Sequence, residues 1–268
     1  MARNGIADYE FVRDLGEGNY GVFHLAKTPS RLPIDDEFVA VKVLNSGAGD
    51  DTFRRATREL QLFASIRSPY LVQLFDAGQD GGSFYYAMAY HPLGSLAAPA
   101  RPLAREEVLR AVARAAHAAH ALHEAGCVHR DIKPANILLN EDGAVLSDLG
   151  LAQILNPGQT VTGIGSLGSM EFMDPEVMRG AAPSRACDIW SLGATLHRAI
   201  TGVGIYGELP DAPLLALRAV LSREPELSPA LSPDEAALIQ RCLDPDSARR
   251  PATAAEVAAG IEALGAAP

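Results

Sequence analysis

Cysteine is scarce in this sequence. Cys127, Cys187 and Cys242 are three in 268 residues, odd in number and far apart. That excludes a disulfide framework and a paired-cysteine metal site, and makes a reducing compartment, the cytoplasm, the expected location. Long apolar runs are also missing. No stretch approaches the roughly 20 residues of a membrane span, so no membrane segment is expected in this chain. The start, MARNGIADYEF, lacks the apolar core of a secretion signal. Basic charge is in deficit too: 23 Lys and Arg stand against 33 Asp and Glu, a formal charge of −10. Phosphate backbones reward basic surfaces, so nucleic acid is not an expected partner. There is no internal repeat and no low-complexity linker.

What remains is ordinary globular material, 48% apolar and 21% charged. A chain this long builds either one generous core or two lobes sharing a cleft. The first ninety residues favour short strands: YEFVRDL, GVFHLAK, EFVAVKVL, LVQLFDAG and SFYYAMAY are punctuated by Gly, Pro and Asp. One helical pattern interrupts them from Asp51 to about Ile66, with Phe53, Ala56, Leu60 and Phe63 at spacings of three and four. After HPLGS the texture turns helical. Between Glu106 and Glu124, Val108, Leu109, Val112, Ala116, Ala119 and Leu122 share one stripe. Further helices fit Cys187–Thr201, Pro213–Leu221, Ser232–Cys242 and Thr253–Leu264. Two of them open on capping boxes, Ser232 with Glu235 and Thr253 with Glu256. The expected chain is one domain over 1–268, with a strand-rich lobe to about 89, a hinge near 89–94 and a helical lobe beyond. The abundant alanine fits helix filling and a bacterial source.

Three motifs carry chemistry. In LGEGNYG, Gly16, Gly18 and Gly21 form GxGxxG. A strand, not a helix, follows, which suits a flap whose backbone N–H groups cover phosphates better than a dinucleotide fingerprint. A ligand-free glycine hairpin is the alternative. In VAVKVL, Lys42 shares a strand face with Ala40 while Val39, Val41 and Val43 take the other. A small residue beside a cation suits a nucleotide cleft, and Glu59 is the candidate carboxylate partner. A lysine on the solvent face of an edge strand is the plainer reading, as is a helix-surface pairing of Glu59 with Arg55 or Arg58.

The third motif is HRDIKPAN, His129 to Asn136. Pro134 prevents a regular helix between Asp131 and Asn136. A carboxylate there suits proton abstraction from a hydroxyl, and an amide oxygen suits a hard cation. Lys133 suits neutralisation of a phosphoryl group, and Asp148, in LSDLG after the expected hairpin ILLNEDGAVL, adds a second carboxylate. A salt-bridged surface turn would explain the charges of HRDIKPAN but not Asn136.

In this order the motifs resemble those of a eukaryotic-like serine/threonine protein kinase, from the glycine loop to RRPAT. The resemblance implies an α+β bilobal fold, an antiparallel-sheet N-lobe and a larger helical C-lobe with the active site between them. It implies that Gly16, Gly18 and Gly21 cover ATP phosphates, and that Lys42 contacts them and pairs with Glu59. By the same resemblance Asp131 is the catalytic base, Lys133 assists it, and Asn136 and Asp148 hold Mg²⁺, for which Mn²⁺ can substitute. Phe23, Ala40, Met88 and Leu138 would line the nucleotide site, with Ala89, Tyr90 and His91 presenting backbone groups to adenine. Phe63, Leu74, His129 and Leu149 would form an internal spine, DIWSLG the helix anchoring the catalytic loop, and Glu176 the partner of Arg250. Ser169 resembles the hydroxyl that meets the catalytic Asp and Lys.

Three departures stand out: DLG for the family's DFG, Asp174 for the alanine of APE, and Phe23 for a valine that packs on adenine. The larger ring is expected to narrow the nucleotide pocket. The resemblance further implies protein substrates, an activation loop from Asp148 to Glu176, and autophosphorylation there, at Thr162 or Thr160, in a homodimer. Arg130 would receive that phosphate. Two other functions stay open at this point, a catalytically silent scaffold and a small-molecule phosphotransferase of kinase-like fold.

Overall fold

A computed structural model describes residues 4–18, 21–44, 50–148 and 167–266. Alternating side chains set its first sheet. Val39 and Val41 on one face are fully buried, and Ala40 and Lys42 on the other are nearly so. The strands are β1 (Gly5–Ile6), β2 (Tyr9–Gly18), β3 (Gly21–Lys27), β4 (Phe38–Leu44), β5 (Leu74–Asp80) and β6 (Ser83–Ala89). They pair antiparallel in the order β1-β2-β3-β4-β6-β5. One face gathers Ile6, Tyr9, Ala26, Val39, Val41, Tyr85 and Ala87 into a core. Arg31 clamps the margin of that core, bonding Asp8 and Asp76 while its guanidinium lies 5.5 Å over the Tyr9 ring. Helix α1 (Asp50–Ser65) buries Leu60 and Phe63, as its periodicity requires. The strand expected from Leu71 begins at Leu74 instead. Leu71 makes a lone bridge to Leu146, and Gln73 O is taken by the Ala89 N–H.

The described residues fall into two compact units, the first from 4–18, 21–44, 50–65 and 72–90, the second from 66–71, 91–148 and 167–266. The second unit is helical. Its elements are α2 (Arg105–Glu124), the short α3 (Leu167–Met170) and α4 (Pro175–Met178), α5 (Arg185–Thr201), α6 (Pro213–Ser222), α7 (Pro233–Cys242) and α8 (Ala254–Ala266). A small sheet, ordered β10-β9-β7-β8, joins β7 (Gly94–Ser95), β8 (Ala98–Pro99), β9 (Ile137–Asn140) and β10 (Gly143–Leu146). The alanines of α2 explain its central place. Ala111, Ala115, Ala116, Ala118 and Ala119 are wholly buried, and small side chains let α5, α8 and the β9–β10 hairpin approach closely. All six residues of the predicted α2 stripe are buried.

Caps fix the helix starts. Ser232 and Glu235 form the expected reciprocal box, and Arg105 of α2 pairs with Glu235, tying the two helix starts together. The Thr253 box forms by half: Thr253 Oγ1 accepts from Glu256 N, but the Glu256 carboxylate reaches Ala252 N. No described helix is long and apolar enough to cross a membrane.

Candidate active site

In the first unit, antiparallel register builds a second, largely apolar face opposite the core, with Lys42 in it. Phe23, Lys42 and Tyr86 are cross-strand neighbours, as are Leu25, Ala40 and Met88, with Leu74 beside Met88. Lys42 is 3% exposed, and the ring of Phe23 lies 4.7 Å from its ammonium. Gly16 pairs with Phe23, and Gly18 with Gly21 in the last pair of the β2–β3 ladder, where the chain passes from one strand to the other. Gly21 has a steric reason: a Cβ there would strike the Val43 carbonyl, so only glycine lets β3 approach β4 so closely. The side chain of Glu59 lies outside the described residues, as do Leu149, Gly150, Thr160 and Thr162. Of the expected adenine-facing groups, the Ala89 N–H is engaged by Gln73, which leaves the Ala89 carbonyl as its contribution. The Tyr90 hydroxyl accepts from Arg13.

In the second unit the eight residues of HRDIKPAN fold into a loop and one 3₁₀ turn, Pro134–Asn136. Lys133 Nζ donates to both Asp131 carboxylate oxygens, at 3.0 and 2.8 Å, and to Ser169 Oγ at 2.8 Å. Asn136 Nδ2 donates to the Asp131 carbonyl at 2.7 Å and to its Oδ2 at 3.0 Å. The carboxylate is therefore fixed on two sides. The Asn136 carbonyl accepts from both the N–H and hydroxyl of Ser147, so the residue preceding Asp148 is bound to the turn that carries Asn136. With its Nδ2 engaged, Asn136 has Oδ1 left to offer, and Asp148 adds carboxylate oxygens. Such an all-oxygen pair suits Mg²⁺, which takes few protein ligands and completes its shell with phosphate and water. Leu138 is half-buried on the face of β9 opposite the buried Ile137 and Leu139, and pairs with Ser95.

The loop is strained and held. Arg130 has φ +70° and Asp148 φ +60°, left-handed values that cost a non-glycine residue about 1–3 kcal/mol. Asp188 of α5, fully buried, offsets the cost at Arg130. Its carboxylate accepts the backbone N–H groups of His129 and Arg130, both at 2.8 Å, and the Nε2–H of His123 at 2.8 Å. One stripe of α5 continues the work. Ser191 Oγ donates to Phe172 O and Thr195 Oγ1 to Ile132 O. Spacings of three and four put Asp188, Ser191 and Thr195 on one face, so a single helix positions both the HRDIKPAN loop and the segment after Ser169.

The sequence matches the family described as Protein kinase domain over residues 9–259. The chain belongs to the protein kinase family. It is 37% identical over 260 residues to the serine/threonine-protein kinase PknK of Mycobacterium tuberculosis, covering 94% of this chain and 23% of that protein. It is 31% identical to the serine/threonine-protein kinase PknB of Mycolicibacterium smegmatis, covering 94% and 42%. Mitogen-activated protein kinase kinase kinase 4 of Homo sapiens shares 32% over 88% of this chain and 15% of its own. The chain thus spans about a quarter of the length of PknK. The sheet-built first unit and the helical second unit are the N-lobe and C-lobe of the kinase fold.

One expectation is overturned in this kinase. Arg250 pairs with Asp174, not with Glu176. Asp174 is 2% exposed and accepts from both terminal nitrogens of Arg250, at 2.5 and 3.3 Å, and from the Glu176 N–H. Asp174 is the N-cap of α4, so its side chain turns back toward the buried guanidinium, while Glu176, in the first turn, is half-buried. The guanidinium also lies 5.0 Å over the Trp190 ring and donates to Ala186 O and Asp244 O. An acid in place of the family's alanine takes over the arginine. His123 is the functional residue that sequence reasoning missed. It lies next to the apolar stripe of α2, and nothing in its spacing signals a partner 65 residues away.

His129 gives the site a pH signature. Its Nε2–H donates to Ser147 O and its Nδ1 accepts from Asp131 N, so the ring is neutral. Burial holds its pKa below the ordinary 6.5, against the pull of Asp188, Asp131 and Asp148. His91 and His197 are lowered by burial as well. Below 6.5 the unfolded chain binds protons that the folded chain refuses, so stability falls as pH falls. Each such histidine contributes a slope of at most about 1.4 kcal/mol per pH unit. Urea unfolding at pH 7.5, 6.5 and 5.5 is expected to show a plateau and then a decline; equal stability at all three would contradict this.

Proposed function

We propose that this chain transfers the γ-phosphoryl group of ATP to serine and threonine hydroxyls of proteins, with Mg²⁺. The observation that carries the reading is the Asp131 carboxylate, held by Lys133 and Asn136 with the Ser169 hydroxyl on the same ammonium. The names of its bacterial relatives and the lysine of HRDIKPAN support a serine/threonine acceptor.

The acceptor oxygen bonds to phosphorus as the bond from phosphorus to the ADP oxygen breaks, and the hydroxyl proton passes to Asp131. Asp131 orients that hydroxyl because its own oxygens are fixed by three hydrogen bonds. Lys133 supplies positive charge next to the reacting group. Lys42 engages the α- and β-phosphates, Ala40, Met88 and Leu138 contact the base, and the Ala89 carbonyl and His91 N–H meet its polar edge. Asn136 and Asp148 would hold Mg²⁺, which when bound would neutralise phosphate charge.

The same reading includes regulation. Arg130 Nε is buried without a hydrogen-bond partner among the described residues. An orphaned guanidinium nitrogen calls for an anion, and a phosphate on Thr162 or Thr160, placed by a second copy of the chain, would supply it. The reaction belongs in the cytoplasm.

The test is incubation with γ-labelled ATP and Mg²⁺, with and without a generic basic protein, beside Lys42→Met. Label on protein from the parent and none from the variant is expected; nucleotide binding without transfer would leave the scaffold reading. Mass spectrometry of the incubated parent should find phosphate on Thr162 or Thr160, and an unmodified 149–166 segment would overturn the regulatory part.

A further inference from the structure

The feature of this site that no general kinase logic accounts for is the ring of Phe23. It sits on β3 directly across from Lys42 of β4, and its centroid is 4.7 Å from the ammonium. Its other cross-strand neighbour is Gly16, which has no side chain to hold it. The register between β2 and β3 shifts between Asp14 and Gly16, and a Cβ placed on Gly16 would meet no described residue within 4 Å. The ring therefore leans on a cation on one side, and on the other no atom of the described residues stands against the place of a Gly16 side chain.

We propose that Phe23 is a gate on the nucleotide's phosphates, its ring resting on Lys42 in the free protein and swinging over Gly16 when a phosphate takes the ammonium. The inference deepens the proposed function and rests on it. A phosphate oxygen and an aromatic face compete for the same ammonium, since both are held by its positive charge. The swing asks nothing of the next residue on this face of β3, because Leu25 is already buried opposite Ala40. The affinity for ATP is set against the ring contact, whereas a nucleoside that never reaches Lys42 is indifferent to it.

The experiment measures equilibrium binding of Mg²⁺–ATP and of adenosine to the parent, Phe23→Leu and Phe23→Tyr. Leucine keeps an apolar body and loses the π face, while tyrosine keeps the face. Phe23→Leu should raise the affinity for ATP relative to that for adenosine about two- to fivefold, the lower end of the scale of a cation–π contact, with the ratio for Phe23→Tyr like the parent's; any change in packing on the base is common to both ligands and cancels in the ratio. A ratio of ATP to adenosine affinity that is unchanged or lower in Phe23→Leu would overturn the gate. Should Phe23→Leu fail to fold, trifluorophenylalanine at position 23 keeps the ring's shape and removes the charge of its face, with the same expectations. Failure of the parent and every variant to bind ATP would sink the nucleotide reading itself, and the gate with it.

Discussion

Asp131→Asn is expected to slow phosphoryl transfer by about 10²–10⁴-fold, the range for loss of a positioned general base, while nucleotide affinity stays near that of the parent. The substitution keeps the shape of the side chain, so the loop has no steric reason to move. It removes the site that takes the proton, and it places an amide N–H₂ where either Lys133 or Asn136 presents a donor. Transfer at saturating ATP and direct nucleotide binding separate the two effects. A variant that keeps a tenth of the parent's rate would show that Asp131 is not the base.

Asp174→Ala is expected to destabilise the C-lobe by about 3–5 kcal/mol, because it strands a buried guanidinium. Arg250 is 5% exposed, and its remaining partners are the neutral carbonyls of Ala186 and Asp244 and the face of Trp190. Asp174→Ala also removes the N-cap of α4. Arg250→Ala should cost a similar amount by stranding the carboxylate, and the double variant should lose much less than the sum of the two. Glu176→Ala should change stability by about 1 kcal/mol or less, as a half-buried residue outside the pair. Urea unfolding of the four variants decides it. A larger loss for Glu176→Ala than for Asp174→Ala would restore the pairing expected from the sequence.

That pair marks where the sequence stops being legible. Periodicity located the helices because burial of one stripe dictates it, and the alternation of VAVKVL put Lys42 with Ala40 because a strand has period two. The hairpin ILLNEDGAVL and the box at Ser232 were visible because turn and cap chemistry is local. Asp131, Lys133 and Asn136 lie within six residues, so one loop was bound to bring them near each other. Other pairings are long-range. Arg250 chooses between two acids two residues apart only once α4 has turned one of them inward, and His123 meets Asp188 only because α2 packs on α5. The stripe of Asp188, Ser191 and Thr195 was in plain view as polar residues at helical spacing, yet its meaning depends on what α5 packs against. The Phe23 ring is similar. The sequence showed an oversized residue, and only the register showed that it rests on Lys42.

The most direct measurement is phosphoamino-acid analysis of a protein acceptor after incubation with γ-labelled ATP, Mg²⁺ and the parent chain, with Asp131→Asn in parallel. The account predicts label on phosphoserine or phosphothreonine from the parent and background from the variant. Label on phosphotyrosine alone, or equal labelling by both proteins, would contradict it.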